Sequence, residues 1–242
     1  MALKSIASLG ALFLLAACPG ERALVGDGEG PAPLATDDTA YLVQLGLIRG
    51  HLRVGFALLE AGADAAAATH SKHPSDELYA NLEGAFEARG KPGFAPALSE
   101  LATAFEAGDL RDASAAHDAV REAISDAESA AVVNPVKAAN VILGLLRVAA
   151  WEYGVGITNG EVASAHEYQD AWGFTQTAKD WAARLAESGE YAPVFSAIQA
   201  RLAELDDLWP ELVPSEVAPT MNAARLYGAA AEVEIMALEL TR

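Results

Sequence analysis

Residues 39–61 read TAYLVQLGLIRGHLRVGFALLEA, a long apolar stretch without proline. It follows three polar residues that are good helix N-caps, Thr36, Asp37 and Asp38, and it precedes Gly62, which suits a helix end. The stretch therefore predicts a long helix, and later segments of the chain have a similar apolar composition.

The same helical spacing recurs to the end of the sequence, and no later segment shows the alternation of a strand. Helix starts are marked by signals such as Pro74 and the capping box Ser164-x-x-Glu167. The predicted helices cover 39–61, 74–90, 94–107, 111–131, 135–156, 164–187, 191–208 and 219–241. Eight helices with short loops predict an all-α fold, a multi-helix bundle domain over 39–242.

The tripeptide Leu-Arg-Val occurs at 52–54 and again at 146–148, each time in a strongly apolar helix. Each of these helices leads through a Gly-containing loop to a segment that bears a histidine, His73 in one case and His166 in the other. The repeat predicts a pseudo-twofold bundle, with chance similarity between Ala-rich helices as the alternative.

The first 18 residues, MALKSIASLGALFLLAAC, have the order of an export signal: the basic Lys4, an apolar run and small residues. Residues 15–18, LAAC, resemble the lipobox of bacterial lipoproteins. This resemblance implies a signal peptide over 1–17 and a membrane anchor of palmitate-type acyl chains on Cys18. An ordinary secretory signal with an incidental cysteine is the alternative.

Pro19, rather than Asp, follows the cysteine, so the lipobox resemblance implies a periplasm-facing location with the outer membrane favoured. Residues 19–38, PGERALVGDGEGPAPLATDD, contain three Pro and four Gly without an apolar period. We therefore expect 18–38 to form the lipidated cysteine and a flexible tether that separates the bundle from the membrane.

The composition excludes several classes of function. The formal net charge is −18 over 242 residues, and no cluster of Lys and Arg offsets it, so nucleic acid is not an expected partner. The single cysteine excludes an intramolecular disulfide, a Cys-rich zinc or iron–sulfur site and covalently attached haem. With 52% hydrophobic residues, the chain can bury a core.

Candidate site residues are ionisable groups whose helical neighbours are apolar. His51, Glu152 and Glu167 each belong to such a row on three separate predicted helices, and Asp170 lies three residues after Glu167. Burying such groups costs several kcal/mol unless they are paired or ligated. The alternatives are a hydrogen-bonded core histidine for His51, an ion pair with arginine for Glu152 and the capping box for Glu167.

Two pairs have the i, i+4 spacing that puts both side chains on one helix face: His73 with Glu77, and His166 with Asp170. Imidazole and carboxylate groups are ligands of iron, manganese, zinc and copper ions. The sequence therefore predicts a site for a divalent or ferric ion, drawn from His51, His73, Glu77, Glu152, His166, Glu167 and Asp170.

The other histidines are placed outside this site. We expect His70 to lie in a loop before the helix at Pro74, and His117, beside Asp118, to lie on a solvated face. No Glu-x-x-His, H-E-x-x-H, G-x-S-x-G or P-loop pattern occurs, so catalysis is not expected.

Residues 157–180, ITNGEVASAHEYQDAWGFTQTAKD, contain a turn at 159–160, the sequence Glu-Tyr-Gln at 167–169 and the aromatic Phe174. This pattern resembles helical periplasmic domains linked to bacterial high-affinity iron permeases. The membrane motif of the permeases themselves is absent. The resemblance thus implies a role beside a metal-transport component rather than transport by this chain.

These observations predict a membrane-anchored periplasmic lipoprotein that binds a metal ion or a metal-linked small molecule, accessory to iron-type uptake. The alternative is an envelope structural or protein-interaction lipoprotein without a metal site, in which the inward acids form structural ion pairs.

Overall fold

The computed structural model describes residues 33–214 and 222–241. Within these ranges nine α-helices form a bundle, which confirms the predicted all-α class. The predicted signal peptide, Cys18 and the tether as far as residue 32 lie outside the described residues. Residues 33–38, the end of the predicted tether, form a turn and the start of the first helix. The helices are α1 Asp38–Glu60, α2 Asp64–His73, α3 Glu83–Arg89, α4 Ala95–Ala107, α5 Leu110–Glu128, α6 Pro135–Gly156, α7 Ala165–Ala186, α8 Ala192–Ala203 and α9 Ala224–Ala237.

The first helix begins and ends within one residue of the prediction. Asp37 is its N-cap, and its carboxylate accepts hydrogen bonds from the backbone N–H groups of Thr39 and Ala40. These bonds satisfy donors that the first helical turn leaves free. After the helix, Gly62 adopts a left-handed conformation with φ of 74°, which glycine tolerates without strain.

The prediction of a single helix from Pro74 to Gly90 was wrong. The helix α2 already ends at His73, a π-helical turn covers Pro74–Leu78, a 3₁₀ turn covers Tyr79–Leu82, and α3 follows. Pro74 has no N–H to donate, so the regular hydrogen-bond ladder cannot continue unchanged through it. The Ala-rich segment before Pro74 forms α2 because alanine has the highest helix propensity.

Two further boundaries differ from the prediction. The helix expected to run to residue 208 ends at Ala203 and is followed by a 3₁₀ turn, Asp206–Leu208. The helix expected from residue 219 begins at Ala224 and ends in a 3₁₀ turn, Leu238–Thr241.

A short β-hairpin between α6 and α7 was not predicted. Its strands β1 Ile157–Thr158 and β2 Glu161–Val162 are antiparallel, with Ile157 opposite Val162. Asn159 and Gly160 connect them with positive φ angles of 55° and 79°. An Asn-Gly pair with two positive φ angles is the turn that suits a two-residue hairpin.

The core lies around α1, α6 and α7. An added Cβ at Gly173 of α7 would lie 2.5 Å from the carbonyl oxygen of Gly50 in α1, so the two backbones are in direct contact. By length and composition α1 could cross a bilayer, but 72% of its most apolar 18-residue window is buried in the bundle. Core helices commonly have this composition.

Aromatic residues attach the segment after α8 to α6 and α7. The Tyr153 hydroxyl donates to Leu208 O, and the Trp209 indole N–H donates to Tyr168 O at 2.9 Å. Tyr168 in turn donates to Glu211 O. These bonds hold the backbone of residues 208–212 beside the start of α7, where the polar cluster described next is found.

Candidate metal centre

Four ionisable side chains converge between α1, α2 and α7. They are His51 of α1, His70 of α2, and His166 and Asp170 of α7, and each offers one ligand atom within 4.8 Å of the others. Only His166 has appreciable contact with solvent, with 23% of its side chain exposed. The remaining three are at most 2% exposed.

Asp170 contacts all three imidazoles. Its Oδ1 lies 2.7 Å from His51 Nδ1 and 3.0 Å from His70 Nδ1, and its Oδ2 lies 3.1 Å from His166 Nε2. Ligands of a tetrahedral site with bonds of about 2.0–2.1 Å are separated by about 3.3 Å. Small side-chain movements would therefore allow the four groups to surround one ion.

Several buried atoms inside the cluster make close contacts but lack a hydrogen bond of regular geometry. Among the described residues, Asp170 Oδ1, His70 Nδ1 and both ring nitrogens of His51 have no hydrogen-bond partner. Buried polar atoms in proteins are nearly always hydrogen-bonded, and an unsatisfied one costs about 1–3 kcal/mol. A bound cation would satisfy several of these atoms at once.

The orientation of His70 follows from its other neighbours. Gln169 donates through its Nε2 to the carbonyl oxygen of Leu212 at 3.1 Å, so the amide oxygen of Gln169 must face His70. This oxygen lies 2.9 Å from His70 Nε2, and that nitrogen therefore donates a proton to it. In neutral His70 the Nδ1 atom then carries a lone pair.

The lone pair on His70 Nδ1 points to the region of Asp170 Oδ1, which is itself only an acceptor when ionised. Two acceptor atoms 3.0 Å apart repel each other unless a proton on His70 or a metal ion lies between them. A histidine that binds metal through one nitrogen typically donates a hydrogen bond through the other. The bond from His70 to Gln169 fits this pattern.

The protonation states favour a cation. Burial raises the pKa of Asp170, but the His51 and His70 imidazoles and the contact with His166 outweigh this effect and hold that pKa well below its usual range. Burial lowers the pKa of His51, and Asp170 opposes this only in part. At pH 7 the centre thus contains a carboxylate anion, which can donate electron pairs to a cation.

His166 has the opposite shift. Burial lowers its pKa, but the contact with Asp170 and the negative charges of Asp170 and Glu167 outweigh burial and raise it. A metal ion would displace the proton that these acids favour on His166, since a ligand nitrogen must be deprotonated.

Two more predicted residues adjoin the four. His73 Nδ1 lies 2.9 Å from His166 Nε2, and His73 Nε2 lies 2.7 Å from Glu77 Oε2. The π-helical turn after His73 carries Glu77, so both come from the place where α2 ends. The two histidine-bearing segments of the internal repeat therefore meet, although the proposed duplication stays a prediction.

The other two predicted residues are not among the four converging side chains. Glu152 is buried on α6, as expected from its apolar row, but it is not one of the four converging residues. Glu167 is half-buried, and its backbone N–H donates to Ser164 Oγ at 3.4 Å, which confirms Ser164 as the N-cap of α7.

His70 is the residue that sequence reasoning missed. It was expected in a loop, but it lies on α2 with its side chain fully buried. The segment has no apolar stripe, so its helical pattern was not visible as amphipathicity. The Ala-rich run before it, and the i, i+3 spacing from His70 to His73, were the available signals.

The expectation for His117 was also wrong. His117 is half-buried on α5 and stacks on Phe56 of α1, with ring centroids 4.8 Å apart. Burial, followed by repulsion from Arg121, lowers its pKa to about 4.

Comparison with known proteins gives one family match. The family model of the iron permease-associated 4-helix bundle domain matches residues 129–235, less than half of the chain. This range contains residues 157–180 and confirms the resemblance predicted from their sequence. No curated protein and no solved structure matches the chain.

The matched range supplies only part of the centre. His166, Gln169 and Asp170 lie within it, whereas His51 and His70 come from helices that precede it. The polar cluster is therefore formed between the matched segment and the N-terminal helices of the bundle.

Proposed function

We propose that this protein binds one metal ion between α1, α2 and α7 and serves as an accessory component of an iron-uptake system. The ligands are His51, His70, His166 and Asp170. The observation that carries the proposal is the convergence of three imidazoles and one carboxylate, whose ligand atoms lie within 4.8 Å of one another and of which three side chains are at most 2% exposed.

The donor set limits the type of ion. Three imidazoles and one carboxylate are borderline ligands that suit Fe, Mn, Zn and Cu ions, and they are less suited to Ca²⁺ or Mg²⁺, which prefer oxygen ligands. The description of the matched domain as iron permease-associated supports iron as the ion and a metal-transport component as the partner. No catalytic step is part of the proposal.

The cellular setting is proposed from the N-terminal sequence. The lipobox-like residues 15–18 and the Pro- and Gly-rich segment that follows them support a lipoprotein that is anchored through Cys18 and faces the periplasm. More than one acyl chain gives stable anchoring, and the tether would let the bundle reach a partner in the membrane. Mass spectrometry of the protein from a membrane fraction tests for acyl chains on Cys18.

Isothermal titration of the full-length protein in detergent tests the binding proposal. Fe²⁺ under anaerobic conditions, Mn²⁺, Zn²⁺ and Cu²⁺ are titrated separately into metal-free protein. We expect saturable binding of one ion per chain for at least one of the four, and Fe²⁺ is expected to be among them. The absence of saturable heat with all four would remove the proposal and favour an envelope interaction protein.

Two alanine variants locate the site. His70→Ala removes a proposed ligand and should weaken binding by at least about tenfold, because even the partners of metal ligands contribute about 10- to 100-fold to affinity. His117→Ala removes a histidine outside the centre and should leave the affinity unchanged. Equal losses in both variants would show that the heat arises from non-specific binding to the acidic protein.

A further inference from the structure

The four proposed ligands form a closed site. His51, His70 and Asp170 are at most 2% exposed, and the ring of Phe174 lies edge-on against His51 with centroids 5.0 Å apart. An ion that reaches Asp170 must pass side chains that have contact with both solvent and the inner ligands.

Three side chains of the cluster meet this requirement. Exposed fractions are 23% for His166, 13% for His73 and 18% for Glu77. They form a continuous series, because His166 Nε2 lies 3.1 Å from Asp170 Oδ2 and 2.9 Å from His73 Nδ1. The second nitrogen of His73 then lies 2.7 Å from Glu77 Oε2.

At the outer end of this series, as in the inner site, there are buried polar atoms without a hydrogen-bond partner. Within the described part of the chain, neither His73 Nε2 nor Glu77 Oε2 has a hydrogen-bond partner, although they lie 2.7 Å apart. An imidazole nitrogen and a carboxylate oxygen that face each other in this way can hold a metal ion that keeps several water ligands.

On the basis of the proposed function, we infer that His73 and Glu77 form a second, outer metal position through which the cation enters and leaves the buried centre. The hydrated ion first binds between His73 Nε2 and Glu77 Oε2. It then exchanges water for His166 and is finally held by all four ligands, His51, His70, His166 and Asp170. No covalent or redox step is involved.

The outer position predicts a particular kinetic effect. A side chain that contacts the ion during entry and exit, but not in its final position, lowers the free-energy barrier for both binding and release. Its removal slows binding and release by the same factor and leaves the equilibrium dissociation constant unchanged. Loss of a final ligand, in contrast, weakens the equilibrium affinity.

Stopped-flow kinetics of the Glu77→Gln variant test the inference. The probe is the tightest-binding of the four ions in the titration, and association is followed by tryptophan fluorescence of the full-length protein. Release is followed after mixing with excess chelator. We expect both rates to fall about tenfold, the effect of about 1.4 kcal/mol in barrier height, with an unchanged dissociation constant. His73→Asn should give the same result.

Glu87→Gln is the matched control. It removes the same charge from an exposed residue of α3, and it measures how much of the slower association reflects lost electrostatic attraction alone. Equal rate changes in Glu77→Gln and Glu87→Gln would overturn the inference, as would unchanged rates in Glu77→Gln.

Two other outcomes have separate meanings. A weaker equilibrium affinity in Glu77→Gln, with faster release, would make Glu77 a ligand of the final site and would also overturn the outer position. Wild-type protein that binds none of the ions would overturn the proposed function itself, together with this inference.

Discussion

The two sides of α1 bury histidines in opposite ways. On one side, His51 meets Asp170 and two further imidazoles, and its ring nitrogens have no hydrogen bonds within the described structure. On the other side, Phe56 stacks on His117 of α5 with nearly parallel rings. Both sites contain a half-buried or buried imidazole, but only the first contains a buried carboxylate.

The charges around the second site are arranged differently. His117 lines an open cavity of about 520 Å³ together with Arg49, Arg53 and Arg121. Repulsion from these arginines adds to burial in lowering the pKa of His117. Asp118, one of the acids nearby, already pairs with Arg121 at 3.2 Å.

The difference indicates what the proposed cation site has and the second site lacks. Burial of histidine alone produces a neutral ring that stacks on an aromatic neighbour. A buried carboxylate whose two oxygens both contact imidazoles brings several electron-pair donors together. A bound cation stabilises such a group of donors. The following predictions test this distinction, beginning with the largest expected effect.

Asp170→Asn should weaken metal binding more than about 100-fold, which is about 2.7 kcal/mol. The substitution keeps the size of the side chain but removes the only carboxylate among the four converging residues. Isothermal titration with the same four ions measures the change, and thermal unfolding of the metal-free variant verifies that it folds.

Asp118→Asn is the control for this substitution, because it removes a carboxylate beside His117. We expect its metal affinity to equal that of the wild type. A similar loss in both variants would mean that the overall negative charge, and not the geometry at Asp170, attracts the ion.

Gly173→Ala should destabilise the protein by about 1–3 kcal/mol and weaken metal binding as well. The new Cβ would lie 2.5 Å from Gly50 O and 2.7 Å from Val54 Cγ2, so α1 and α7 must move apart. This movement would separate His51, which follows Gly50, from Asp170, which lies one turn before Gly173. Urea unfolding and metal titration measure the two effects.

Gly228→Ala in α9 provides the matched comparison. An added Cβ there has no neighbour within 4 Å, and alanine favours the helix, so a stabilisation of about 0.5–1 kcal/mol is expected without a change in metal affinity. Destabilisation by both substitutions would contradict the role of close helix contact at Gly173.

Much of the bundle could be predicted because helix signals are local. The Asp37 cap, the apolar run of α1 and the Ser164 cap of α7 each depend on a few neighbouring residues, and all three occur as expected. The inward position of His51 likewise follows from helical spacing within α1.

The assembly of the metal centre depends on contacts between helices, which a local pattern does not contain. Nothing within α2 indicates that His70 faces Asp170, because the two are brought together by packing. Glu152 shows the converse: its apolar row correctly predicts burial on α6, but burial does not place it among the converging ligands. The His117 environment was missed for the same reason, since Phe56 comes from another helix.

His117→Gln should make the protein less sensitive to acid. The pKa of His117 is about 4 in the folded protein, below the usual 6.5, so between pH 6.5 and 4 the unfolded chain takes up a proton that the folded chain does not. Stability contributed by this group is complete above pH 6.5 and is lost as the pH falls through this window.

The expected effect is about 1–2 kcal/mol at pH 5, after allowance for partial solvent screening. Urea unfolding of wild type and variant at pH 7.5 and pH 5 measures it as a difference between the two proteins. An identical loss of stability in both would show that the acid sensitivity has another origin.

Arg121→Gln should have the smallest effect, an increase in the pKa of His117 from about 4 toward its usual value. Burial is the main cause of the low pKa, and repulsion from Arg121 is the next. The side chain of Arg121 is 56% exposed, so water and salt screen this repulsion.

An NMR titration of the His117 ring measures the pKa directly. The difference between variant and wild type should shrink at high salt, because only the arginine contribution is screened, whereas burial beside Phe56 is not. An unchanged pKa at low salt would mean that burial alone keeps His117 neutral.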